Sequence, residues 1–83
     1  MDYHPFVGLE ILDKIRSIRG PRRKEISEFL RSLKLDPFQK GDFQKVVRGR
    51  EAEVKVFGKY SVYYWADHPV REVKIIELLK SDK

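Results

Sequence analysis

The sequence predicts an α+β fold in which an N-terminal helical hairpin packs on a small, mainly antiparallel sheet of three or four strands. Three observations predict it. Apolar residues recur at helical spacing as far as Leu35. After Gly41 the pattern turns to alternation, rich in β-branched and aromatic residues. The breaks in that alternating half are only two or three residues long, too short for anything but antiparallel neighbours.

The first helix is expected within residues 6–19, where Val7, Leu12, Ile15 and Ile18 form a stripe flanked by Leu9 and Ile11. Gly20-Pro21 ends it and starts the next, because glycine suits a helix exit and proline a first turn. In the second helix Ile26, Phe29, Leu30 and Leu33 fall at i, i+3, i+4 and i+7, with Arg22, Lys24, Glu28 and Arg31 turned outward. Asp36-Pro37 closes it, since a residue before proline is driven out of the helical region. Candidate strands follow at 42–47, 52–57, 60–66 and 70–79, broken by Arg48-Gly49-Arg50, Gly58-Lys59 and Asp67-His68-Pro69.

The hairpin around Gly58 sets which side chains share a face, because a slip of one residue exchanges the two faces. A two-residue loop pairs Phe57 with Tyr60 and puts Lys55 beside Val62. A three-residue loop pairs Val56 with Tyr60, gathering Val54, Val56, Tyr60, Val62 and Tyr64 against Lys55, Ser61, Tyr63 and Trp65 on the other side. The second register sorts apolar from polar and is the one expected, although glycine as the first loop residue suits the tighter turn.

Eighty-three residues make one compact domain of residues 1–83, with too little interior for a large cofactor. With 41% hydrophobic residues the chain is apolar enough to fold. Its net charge of +5 favours a polyanionic partner. The absence of cysteine excludes thiol catalysis and disulfides, and two histidines are too few for a protein-only zinc site without carboxylates, so neither a metal nor a cofactor is expected. No apolar run is long enough to span a membrane, and the start at Met1 has no basic region followed by an apolar one, so a cytoplasmic location is expected. No glycine-rich phosphate loop and no serine–histidine–acid spacing is present.

The charge has candidate foci. Lys45, Arg48 and Arg50 make a basic turn suited to phosphates, or simply to solvent. In the expected register Tyr63 and Trp65 share a face with Lys55, the arrangement that stacks a base beside a held backbone; both rings are equally suited to packing in a core. Arg22-Arg23-Lys24 is electrostatically out of place at a helix N-terminus.

A stub ending in His4-Pro5, a helical hairpin and a basic antiparallel meander together resemble the RelE/ParE superfamily of toxins from bacterial and archaeal toxin-antitoxin modules. The resemblance is carried by Leu35-Asp36-Pro37-Phe38 at the helix exit, Val54-Lys55-Val56, Gly58-Lys59-Tyr60-Ser61-Val62-Tyr63-Tyr64 and Val70-Arg71-Glu72-Val73-Lys74-Ile75-Ile76. It implies a RelE-like fold, a cognate antitoxin protein as partner, and messenger RNA cleavage or ribosome binding without metal. By position it implies catalytic roles for Lys55, as phosphoryl cation or base, and for Lys80 after the last strand. It implies RNA contacts through Arg48, Arg50, Tyr63 and Trp65. Ser61 stands where the family commonly carries arginine, which implies slow cleavage. Two other classes stay open: inhibition of DNA gyrase, as in the ParE branch, and a catalytically silent RNA-binding module.

Overall fold

A computed structural model describes residues 3–81. The element order is β1 (His4–Val7), α1 (Leu9–Ser17), α2 (Pro21–Leu35), β2 (Phe43–Val47), β3 (Arg50–Phe57), β4 (Tyr60–Asp67) and β5 (Glu72–Lys80). The strands form one five-stranded sheet in the order β1-β5-β4-β3-β2. From β2 to β5 the neighbours are antiparallel, whereas β1 runs parallel to β5.

This corrects the expected fold class. The helices are not an N-terminal hairpin on a mainly antiparallel sheet of three or four strands; a strand precedes them, and the sheet has five strands, is mixed through the parallel β1, and dominates the fold. The missed strand is His4-Pro5-Phe6-Val7. The stub ending in His4-Pro5 is not among the candidate strands and Val7 belongs to the expected helical stripe, but β1 lies at a sheet edge, where a proline without an N–H is tolerated. The first helix accordingly starts later than expected, at Leu9. The second runs from Pro21 to Leu35, as its spacing predicts.

Both helices lie on one face of the sheet. Ile11, Ile15 and Ile18 from the α1 segment, with Ile26, Phe29 and Leu33 from α2, pack on Val62 and Tyr64 of β4 and on Val73, Ile75 and Leu78 of β5. On β5 the inward residues break step between Ile75 and Leu78, because Tyr63 pairs with Glu77 while Tyr64 pairs with Ile75, leaving Ile76 as a bulge. The opposite face of the sheet carries neither helix, and is called the open face below.

The expected hairpin register is also corrected. Phe57 pairs with Tyr60, Val56 with Ser61 and Lys55 with Val62, so the loop has two residues, Gly58 and Lys59. Gly58 has φ +61°, the left-handed value that the first position of a tight hairpin turn requires. Val54 and Val56 therefore lie on the open face with Ser61, Tyr63 and Trp65, and Lys55 lies on the helix side. Val54, Val62 and Tyr64 are buried as expected, but Val56 is exposed.

The loop from α2 to β2 explains why polar residues of β3 tolerate the helix side. Glu53 accepts hydrogen bonds from the Gly41 N–H at 2.8 Å and from Gln44 Nε2 at 2.9 Å, with Lys40 Nζ at 3.8 Å. Asp42 accepts the Val56 N–H at 2.7 Å, extending the β-ladder past the end of β2, and pairs with Lys55 at 3.5 Å. Tyr64 donates its hydroxyl to the Gln39 carbonyl at 3.1 Å. Among the described residues no helix is long and apolar enough to cross a membrane.

Candidate nucleic-acid interface

The β2–β3 hairpin gathers three cations at one end of the open face. Its two turn residues, Arg48 and Gly49, both have positive φ, +53° and +77°. Such a turn favours asparagine or glycine, so an arginine at Arg48 holds its backbone in a disfavoured region. Arg50 follows on β3 and Lys45 lies across from Ala52 on β2. Among the described residues none of the three cations makes an ion pair.

Each strand cation meets an aromatic ring of β4 instead. The Arg50 guanidinium lies 4.5 Å from the centroid of the Trp65 ring, and Lys45 Nζ lies 6.0 Å from that of Tyr63. Weakly hydrated guanidinium on an indole face is a favourable pair that leaves the N–H fork free for an anion. Tyr63 is buried beneath the hairpin and Trp65 is half-buried. A shallow groove of about 330 Å³ runs between the hairpin and β5, lined by Lys45, Arg48, Tyr63, Glu77 and Leu79. Glu77, its acidic wall, is engaged by Lys14 at 3.7 Å.

The residues expected to form the site are thus only partly brought together. Arg48 and Arg50 share the hairpin, and Arg50 stacks on Trp65. Tyr63 lies on the same face but is too buried to serve as a platform for a base. Lys55 is on the opposite face with Asp42, and cannot reach the phosphate that Arg50 would hold. Lys80 pairs with Tyr60 at the far end of the sheet, about 23 Å along β4 from Asp67 at 3.3 Å per residue. No proton-transfer pair is assembled from Lys55 and Lys80 around a shared substrate position. Sequence reasoning placed Trp65 with Lys55; the tight-turn glycine at Gly58 was the signal that would have placed it with Arg50 instead.

A second concavity, about 480 Å³, opens at the same end of the molecule between the α2–β2 loop, β3 and the β4–β5 turn, and Arg50 and Trp65 line it as well. Its lining includes Glu53, Tyr64, Asp67 and His68, a set that sequence reasoning did not single out. These groups are already engaged. Burial pushes the Glu53 carboxyl up, but the hydrogen bonds from Gln44 and Gly41 and the Lys40 charge outweigh it and hold it low. The hydrogen bond from Lys74, at 2.8 Å, holds Asp67 low against its burial. Burial, reinforced by the charges of Glu53, Asp42 and Asp36, pushes the Tyr64 phenol far up, so it stays a neutral donor. His68 Nδ1 is 2.8 Å from the Tyr3 hydroxyl, beside Phe38. These ties clamp three chain segments together.

No family model matches the chain, and no curated protein or solved structure matches it.

Proposed function

We propose that the protein is a toxin component of the RelE/ParE kind that arrests translation by occupying RNA on the ribosome, with the open sheet face as its RNA-binding surface. The observation that carries this reading is the convergence of Lys45, Arg48 and Arg50 on one face with no carboxylate paired to any of them among the described residues. Unpaired cations, two of them set over rings, present charge to a phosphate backbone. Binding is favoured over cleavage because Lys55 and Lys80, the residues with the expected catalytic roles, both lie on the helix side of the sheet, away from this surface. The sequence stretches that resemble the toxin family fall largely on β3, β4 and β5, the centre of the same sheet. The reading includes a cytoplasmic location and a cognate antitoxin. The exposed Phe43, Val56 and Leu79, beside the cations on the open face, are the apolar surface such a protein would bury.

Titration of the protein with single-stranded RNA tests this directly, because Trp65 is the only tryptophan and reports on the face in question. Binding should change its emission and weaken with salt, with a log–log slope of about −2 for three phosphate contacts on a single strand. The double variant Arg48→Ala/Arg50→Ala should bind roughly tenfold more weakly with a slope nearer zero. Equal affinity and slope in wild type and variant would remove the open face from consideration.

A further inference from the structure

The outer face of α2 is a strongly charged surface that this reading leaves unused. Ile26, Phe29 and Leu33 bury the inner side of the helix, so at 100° per residue the side facing away from the core is centred on Lys24, Glu28 and Arg31, with Arg23, Ser27 and Lys34 along its flank. Arg23, Ser27 and Arg31 stand in one row at i, i+4 and i+8, and from Arg23 to Lys34 the stripe spans about 16 Å. The four cations are exposed, and none has an ion-pair partner among the described residues. Glu25, one of the helix's two acids, is taken by Arg22 at 2.8 Å, and Glu28, the other, stands within the stripe between Lys24 and Arg31 without an ion pair among the described residues. Arg23, Lys24, Ser27 and Arg31 line a shallow groove of about 390 Å³ together with Gly20 and Glu28. The first turn of the helix contains no acidic residue, so Arg23 and Lys24 oppose the helix dipole, while Arg22 is offset by Glu25.

We infer that this stripe is a second RNA surface, one that grips the phosphate backbone of a duplex. The inference rests on the RNA-binding reading above and extends it. A rigid row of cations with no aromatic ring among them reads backbone charge and shape rather than unstacked bases, which is how double-stranded RNA is held. The open sheet face, with its rings, suits single strands. The two surfaces point in opposite directions, because α2 lies on the helix-covered face and turns its stripe away from the sheet. One molecule therefore holds a duplex segment and a single-stranded segment at once.

The test uses the full chain and two labelled probes, a blunt RNA duplex of about two helical turns and an unstructured single strand. Arg23→Glu/Arg31→Glu should weaken duplex binding at least tenfold and leave single-strand binding within about twofold, while Arg48→Glu/Arg50→Glu should do the reverse. Glutamate at position 23 complements the helix dipole, so an unchanged or raised melting temperature would separate lost binding from lost folding. Duplex affinity unchanged in the α2 variant would overturn the inference while single-strand binding leaves the open face standing. An acidic peptide that binds the α2 stripe in place of duplex RNA would also overturn it. If wild type binds neither RNA, both readings fall together.

Discussion

Arg50 and Trp65 lie diagonally across adjacent strands, the guanidinium 4.5 Å from the indole centroid, while the indole Nε1 is buried without a hydrogen-bond partner. Arg50 therefore caps a ring whose own donor is unsatisfied. Arg50→Ala should cost about 0.5–1 kcal/mol and shift the emission of the sole tryptophan to longer wavelength. Trp65→Phe removes the unpaired donor with much of the ring kept, so its loss of stability in urea should be clearly smaller than that of Trp65→Ala. An unshifted emission in Arg50→Ala would mean that the stack is not formed in solution.

Arg48 trades stability for position. Its φ of +53° suits asparagine or glycine, and Arg48→Asn should raise the unfolding free energy by about 1 kcal/mol. The same substitution should reduce RNA affinity. Chemical denaturation and RNA titration on one variant read both effects, and a gain in stability with undiminished binding would detach Arg48 from the interface.

Lys55→Ala should leave RNA affinity unaltered and cost under about 1 kcal/mol, since Lys55 pairs with Asp42 at 3.5 Å in a partly solvated setting on the helix side. Ser61 is on the open face, so Ser61→Arg adds a cation there without meeting Lys55. Loss of RNA binding or of RNA cleavage in Lys55→Ala would contradict this placement.

Acid should loosen the α2–β2 loop. Glu53 is held below its ordinary value of 4.5, so the stability it contributes is complete above that pH and is lost as the pH falls through its lower folded value. Asp42, held low chiefly by the Val56 N–H, acts in the same direction. In Glu53→Gln the decline in melting temperature below about pH 4.5 should be shallower, at the cost of lower stability at neutral pH. Parallel pH profiles for the two proteins would exclude Glu53 as the source.

Gly41 touches the β3 backbone so closely that an added Cβ would collide with the Val54 carbonyl. Backbone cannot step aside as a flexible side chain can. Gly41→Ala should therefore destabilise by about 2–3 kcal/mol, more than Gly8→Ala, where a Cβ meets nothing. Comparison of their denaturation midpoints checks the close approach.

The helices were legible because each follows one rule: an apolar stripe bounded by Gly20-Pro21 and by Asp36-Pro37. Strand β1 was not, because local propensity speaks against Pro5 and only the edge position excuses it. The hairpin register was misjudged by sorting polar from apolar residues. That criterion presumes that a covered face excludes charge, whereas the 36–42 loop supplies partners for Glu53 and Lys55 there. The basic hairpin was readable from Lys45, Arg48 and Arg50 alone. Its pairing with Trp65 was not, since that depends on the register.

The parallel pairing of β1 with β5 ties the first described strand to the last one. Without β5, β1 has no neighbour, and Val73, Ile75 and Leu78 are missing from the core. Closing that gap spans nearly the whole chain, a non-local step of the kind that slows folding. Pulling β1 away therefore bares the flank of β5, so the two ends of the described fold lose their structure together rather than one after the other.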